Sequence, residues 1–564
     1  MYSLRPTFRS RTTISVLLLL ASIWALLWRF GDYGYPSWTE SPVIPSFRST
    51  SESWEEVLAA VAAGENAAGV ERKWRKDRER KMKQEIVRQD DIVCQQPLVV
   101  GEEEQKRIAR IAELELELEK EKNWRQQESK LWDKATVLNG PPAKLFRDNL
   151  KNDTYYLTSW TTAGFTNQFM GYVNMIYLAT LTDRVPIVPP FAPFHHISAE
   201  AGVVSFGDIF DLELLSSQLR VAVLEWRDVK ILPETTGADS YPYVPKSPEW
   251  PSEPIGCWST RAAHEHSPHF AEQIVRHIGV DASYTRVPFS TRYQQSGNPY
   301  EEHINFPHLA ALIYRSPVFS STEKSDIAPS WNPFPDPERE HHRYEELSVS
   351  PDGHHRGPDS HLTCFDVTYW MSSGAELYEW RFGFSPVWRT VGRWLKFSKK
   401  MHEMTKEYLD VLFGRASEDG SSETPPFIAV HVRRGDFKQE CGHRVCSPPL
   451  SVYGDQVDEV RRELQEKKGI EVQHVVLMSD ETSADFWGDV RALGWLSIDH
   501  HAHQTFERFG EWFPPIIDIA VQSYAVGFVG TEDSTFSMIS QKRVIDWNGG
   551  VVRSVDSRHG DWMN

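Results

Sequence analysis

The sequence predicts an α/β protein whose body is two strand-and-helix lobes with a cleft between them. Three observations predict it: a β-loop-α-β pattern over residues 154–191, a return of strand and helix alternation from residue 426, and a strand at 427–432 that runs directly into charge. At 564 residues the chain is longer than one hydrophobic core serves, which fits two packed units plus accessory segments. A formal net charge of −18 excludes a general nucleic-acid binder, because phosphate neutralisation needs a basic surface. Any anionic ligand must therefore meet a local basic site.

Residues 1–11 carry Arg5, Arg9 and Arg11 and read as a cytoplasmic tail. Residues 12–28, "TTISVLLLLASIWALLW", are an uncharged apolar run at the short end of the spanning range. Bulky and charged residues follow instead of a small-x-small cleavage site, so the run is expected to stay as a transmembrane signal anchor in the lipid bilayer. The rest of the chain then lies in the lumen of the Golgi or endoplasmic reticulum, as a single-pass type II membrane protein. Cys94, Cys257, Cys364, Cys441 and Cys446 are compatible with one or two bridges in an oxidising lumen. Cys441 and Cys446 could close a small loop, although sequence alone does not determine pairing. The "NDT" sequon at Asn152 fits lumenal exposure.

Residues 29–140 begin as a Pro/Ser/Tyr-rich linker and become densely charged, with Ile111, Leu114 and Leu118 three and four apart on a single helical stripe. They are read as a solvated helical stem that holds the body off the bilayer and could pair two chains as a homodimer.

The first Rossmann-like lobe, 141–400, is expected to hold a strand at 154–160, the loop "AGFTNQ" at 163–168, a helix at 169–184 and a strand at 185–191. Within it, 317–360 is Pro/Ser/His/Glu-rich and aperiodic, and reads as a long surface insertion. The second lobe, 401–564, is expected to hold strands at 427–432, 474–479 and 527–530, with helices at 456–467, 484–493, 516–526 and 537–544. A doubly wound sheet binds ligands at the carboxyl ends of its strands.

The stretch at 427–437, "FIAVHVRRGDF", places His431 and Arg433 at such an end. Strand periodicity puts those two on one face and Val432 on the other. A planar guanidinium grips two phosphate oxygens together; Gly435 permits a sharp turn, and Asp436 can brace an arginine. The loop at 163–168 leads into a helix, so its amides can approach a phosphate or sugar. In "FVGTEDSTFS", Ser534 and Thr535 stand at a helix start, where a hydroxyl can cap the helix and still serve a bound anion. The histidines at 341, 342, 354 and 355 and the "HHAH" run at 500–503 lack HExxH or ordered Cys/His spacing, so no metal site is expected.

Taken in order, "AGFTNQ", "VPIVPPF", "HVRRGDF" and "IIDIAVQSYAVGFVGTEDSTFS" resemble the motifs of the GDP-fucose protein O-fucosyltransferases, over a span from about Asn152 to the C-terminus. The resemblance implies a GT-B architecture, with the donor mainly in the second lobe and an acceptor glycoprotein or glycan in the cleft. It implies inverting transfer of fucose from GDP-fucose to an acceptor hydroxyl, that of protein Ser or Thr, with GDP-fucose as donor substrate and no cofactor or metal. By that resemblance, donor contacts fall on Gly164, Phe165, Thr166, Asn167, His431, Val432, Arg433, Ser534, Thr535 and Phe536. Arg433 stands in the place of the essential arginine, and Asp518 in that of the aspartate that recognises guanine. Asp518 also reads as an ordinary first-turn helix acid. The glutamate that one branch uses as base is missing. An inverting attack still needs a proton acceptor, for which Asp436, Glu532, Asp533 and water are candidates. A catalytically inactive lumenal scaffold that binds a sugar nucleotide or glycan is the alternative.

Overall fold

The computed structural model describes residues 132–194, 196–232, 252–261, 266–267, 271–288, 291–292, 304–314, 346–373, 378–381, 383–415, 424–437 and 448–556. The chain forms two units, Met1–Cys94 and Gln95–Asn564, and every described residue belongs to the second. The apolar run at 12–28, the expected stem up to residue 131 and Cys441 with Cys446 lie outside the described residues. Among those described, no helix is long and apolar enough to cross a membrane.

The first part of the unit contains β1 (Tyr156–Ser159), β2 (Val185–Val188), β3 (Leu224–Glu225), β4 (Glu253–Ser259), β5 (Val280–Arg286), β6 (Ile304–Asn305), β7 (Glu346–Ser348), β8 (Leu362–Phe365) and β9 (Met371–Ser372). Seven of these form a sheet in the order β3-β2-β1-β8-β4-β5-β7, parallel throughout except for β7 at one edge. The second part contains β10 (Phe427–Val432), β11 (His474–Ser479), β12 (Gly527–Thr531) and β13 (Val551–Val555), in the order β11-β10-β12-β13. The helices that matter for the site are α1 (Phe165–Leu181), α2 (Lys399–Leu412), α3 (Leu450–Lys468), α4 (Ala484–Ala492), α5 (Phe513–Gln522) and α6 (Thr535–Asn548).

All six residues of β10 are buried, as a parallel strand covered on both faces requires. Ile428, Val430 and Val432 pack with Tyr453, Val457 and Val460 of α3. Phe427 and Ala429 point the other way, into a core that also holds Ile516 and Ile519 of α5. That core runs on through Phe169, Phe210 and Phe397, so a single apolar cluster joins the two sheets. Arg543 of α6 is buried within it, its guanidinium carbon 5.2 Å from the ring centre of Phe169, 4.7 Å from Phe397 and 5.1 Å from Trp547. Its nitrogens have no hydrogen-bond partner among the described residues; the ring faces supply the favourable field, and burial pushes its pKa down to about 9.

The structure changes three sequence-based expectations and resolves one pairing that the sequence left open. Helix α1 begins at Phe165, so Thr166 and Asn167 lie in its first turn and not in a loop. Gly164 is its N-cap, Ala163 before it has φ +96°, and the Gln168 amide ties this start down by donating to the carbonyls of Ala163 (2.7 Å) and Ala192 (2.8 Å). Second, the end of the expected insertion is packed against the sheet: β7 pairs with β5, and His354 Nδ1 lies 2.6 Å from Asp281 Oδ2. A Cβ on Gly256 would stand 1.9 Å from the carbonyl oxygen of Gly357, so this approach requires glycine in β4. Third, β13 was not expected, because "VVRSV" is short and interrupted by charge. The resolved pairing is a disulfide that joins Cys257 of β4 to Cys364 of β8.

Candidate functional site

Three neighbouring strands deliver the central residues. The ends of β10, β11 and β12 lead directly into Arg433, Asp480 and the Thr531 region, so these groups converge at the carboxyl edge of the second sheet. The backbone N–H of Arg433 donates to Thr531 Oγ1 (2.9 Å), and that of Arg434 donates to Asp480 Oδ1 (2.8 Å). A Cβ on Gly435 would stand 2.6 Å from Asp480 Oδ2, which explains why the turn needs glycine. Thr531 Oγ1 lies 2.8 Å from the Tyr453 hydroxyl, linking the turn to α3.

The Arg433 guanidinium is held from several directions. Its Nε and Nη2 each lie 2.9 Å from an oxygen of Asp436, a two-point ion pair. Nη1 lies 2.9 Å from Asp480 Oδ2 as an ion pair without hydrogen-bond alignment. Nη2 also donates to His196 Nε2 at 2.9 Å. Arg434 turns away from this cluster, with Nε 3.2 Å from Glu481 Oε2. Partial burial would raise the Asp436 carboxyl, but hydrogen bonding and charge from Arg433, helped by His196, outweigh it and hold that group below its usual range. Of the proton-acceptor candidates, Asp436 is paired with Arg433 as a brace, and a depressed pKa makes it a poorer base.

His431 faces α6. Its Nδ1 lies 2.8 Å from Ser537 Oγ and its ring stacks on Phe536 at 4.7 Å between centres. Burial, reinforced by the charge of Arg433, lowers its pKa from 6.5 to about 3, so the imidazole is neutral. The unfolded chain therefore binds a proton here as pH falls below 6.5, while the folded one does not until about 3. The contribution of neutral His431 to stability is complete above that upper limit and is lost progressively through the window. Thermal melts are expected to show the midpoint dropping from pH 7 to pH 4, with a shallower slope for His431→Gln; equal slopes would contradict the assignment.

The N-termini of α1 and α6 meet. Thr535 Oγ1 donates to Asn167 Oδ1 (2.7 Å) and lies 2.8 Å from Thr166 Oγ1. Ser534 is the N-cap of α6, its side chain accepting from Ser537 N–H. Two helices of 17 and 14 residues thus turn their positive ends towards one place, next to a braced arginine. This arrangement suits a diphosphate.

The remaining expected residues divide. Phe165 packs on Phe191 (4.8 Å between ring centres) and Val432 lies in the core, so these two offer a ligand their backbone only. Asp518 lies in the second turn of α5, which removes the reading as a first-turn helix acid. Its Oδ1 is 3.0 Å from His500 Nε2, in a network with Thr505 and Tyr408; among the described residues it shares no hydrogen bond or ion pair with Arg433. Asp533 is paired with Arg381 at 2.6 Å, whereas Glu532 is exposed. Glu532 lines a cleft of about 470 Å³ beside α6, with Trp380, Gln541 and Lys542 on its other walls. Sequence reasoning missed Asp480, Thr531 and His196. Asp480 had a readable signal: it follows β11 just as Arg433 follows β10.

Two α/β sheets that share one core, with an arginine and two helix N-termini at a strand edge, form the kind of site that binds the phosphates of a nucleotide-linked substrate. The chain belongs to the GDP-fucose protein O-fucosyltransferase family, whose model matches residues 156–545, and it is a GDP-fucose-dependent fucosyltransferase. Among solved structures it is similar to POFUT1 in complex with GDP, at 15% identity and a TM-score of 0.41 over 72% of this chain and 98% of that one. It is also similar to POFUT1 in complex with GDP-fucose, at 14% identity and a TM-score of 0.39 over 72% of this chain and 99% of that one. The fucosyltransferase NodZ from Bradyrhizobium matches at 12% identity and a TM-score of 0.31, over 69% of this chain and 93% of that one. No curated protein sequence matches the chain.

Proposed function

We propose that the protein transfers fucose from GDP-fucose, with inversion, to a hydroxyl of a glycoprotein acceptor, on Ser or Thr. The observation that carries this reading is Arg433, braced by Asp436 and Asp480 beside the joined N-termini of α1 and α6. As the bond from fucose to GDP breaks, negative charge grows on the diphosphate. A preoriented cation and two helix ends stabilise that charge without reorganising. Asp518, oriented by His500 through one oxygen, is the group for the guanine edge, whose N1–H and N2–H groups suit a carboxylate acceptor. In this reading 141–400 is the acceptor lobe and 401–564 the donor lobe. Residues 12–28 anchor the chain in a Golgi or endoplasmic reticulum membrane, with the stem between anchor and enzyme. The buried disulfide between Cys257 and Cys364 and the exposed Asn152 sequon support a lumenal setting.

The test is a thermal-shift comparison of GDP-fucose, GDP, GDP-mannose and UDP-sugars on the full-length protein. GDP and GDP-fucose are expected to raise the midpoint, since a ligand that binds only the folded state stabilises it. A larger shift with a UDP-sugar would overturn the donor assignment.

A further inference from the structure

His196 belongs to the loop after β2, in the first half of the unit, yet its Nε2 accepts a hydrogen bond from Arg433 Nη2 in the second half. The loop is positioned to keep it there. Two residues on, the backbone N–H of Ser198 donates to Glu511 Oε1 (2.8 Å), its hydroxyl binds the other oxygen of Glu511, and Trp512 Nε1 donates to the Gly202 carbonyl (2.9 Å). The groups facing His196 are Arg433 at 2.9 Å and Asp436 at 4.0 Å, with Asp480 behind the guanidinium and Glu511 beyond Ser198.

The guanidinium is almost fully committed: Asp436 takes Nε and Nη2, Asp480 faces Nη1, and His196 holds Nη2. A diphosphate can reach Nη2 only by displacing a partner. The two carboxylates carry charge that pairs with arginine, whereas His196 is a 57% exposed side chain that can reverse its role by taking up a proton. A neighbouring anion favours that charged form.

On the reading that this site binds GDP-fucose, we propose that His196 is a second ligand of the donor diphosphate. Without donor, its Nε2 accepts from Arg433. When the diphosphate arrives, Nε2 gives up that bond, takes a proton from solvent and donates it in a hydrogen bond to a phosphate oxygen, while Arg433 Nη2 donates to the same group. As the C1–O bond of fucose breaks and the electron pair moves onto GDP, both cations face the developing charge. The site therefore takes up a proton with its donor and returns it when GDP leaves.

The experiment is titration calorimetry of the full-length protein with GDP-fucose, whose diphosphate is esterified at both ends and so lacks the terminal phosphate's second ionisation near neutral pH. Measurement in two buffers of different ionisation enthalpy reads proton uptake directly. Wild type is expected to take up a fraction of a proton near neutral pH and to bind more tightly as pH falls. His196→Gln is expected to take up none and to bind about tenfold more weakly at the acidic end, as the loss of one charge-assisted hydrogen bond implies. His196→Lys, with a fixed positive charge, is expected to recover affinity but not proton uptake. Unchanged uptake or unchanged affinity in His196→Gln overturns the proposal. Failure of wild type to bind GDP-fucose overturns the donor assignment itself, and this proposal with it.

Discussion

Replacing Arg433 by alanine is expected to lower fucose transfer by about a thousandfold, the scale for removing a preoriented group that stabilises developing negative charge. The effect should reach the donor alone, so acceptor-independent hydrolysis of GDP-fucose is expected to fall as well. Arg433→Lys is expected to recover little. A lysine tip is a single point, and it cannot meet both oxygens of Asp436, Asp480 and a phosphate in one plane. GDP release with and without acceptor measures both rates, and a melting curve separates loss of chemistry from loss of fold. Activity of Arg433→Ala within tenfold of wild type would sink the assignment, and with it the case for an active enzyme resting on this residue.

The largest effect on stability is expected from the disulfide. Cys257 and Cys364 are fully buried and close a loop of 107 residues. Chain-entropy arguments give such a loop up to about 4.7 kcal/mol, and measured bridges more often contribute about 2–4 kcal/mol. The location adds to the effect, because β4 and β8 share a single register pair, Trp258 with Phe365, whereas β8 matches β1 at four positions. The double variant Cys257→Ala/Cys364→Ala is expected to lose about 3 kcal/mol in urea unfolding. The same protein under reducing conditions should behave like the variant. A midpoint unmoved by both treatments would show that the β4–β8 junction is held by packing alone.

The second sheet was the most legible part of the molecule. The strands expected at 427–432 and 474–479 coincide with β10 and β11, because each is a short buried run of β-favouring residues bounded by turn or charge signals. The helix starting at 484 was readable within a residue at its end, while α3 and α6 extend beyond their expected limits and α5 starts earlier and ends earlier than expected. Those extensions lie in polar or proline-bearing turns, where local preference is weak and tertiary packing decides. Thr166, Asn167 and Thr535 were legible as candidates but not as partners. Their contact spans 368 positions between Asn167 and Thr535, and no local pattern encodes such a distance. His196 was illegible for the same reason. Asp436 was visible as either brace or base, and its two oxygens facing one guanidinium, one of them hydrogen-bonded, favour the brace.

The position of β8 has a consequence for synthesis. It lies in the middle of the seven-stranded sheet, between β1 and β4, yet it is made after all the other strands of that sheet. Until residues 362–365 have emerged, β3-β2-β1 and β4-β5-β7 are separate ribbons, and β1 and β4 each present an open edge to the crowded surroundings. The nascent chain must then keep the β1 edge apart from other strands for roughly 200 residues of translation and the β4 edge for roughly 100, at about 5–20 residues per second. Cys364 travels on the same strand, so insertion of the central strand is what brings its thiol to Cys257 for the bond to close. The bridge is therefore a record of topological completion, and a quality-control system that monitors the Cys257 thiol would report whether the first sheet has been assembled.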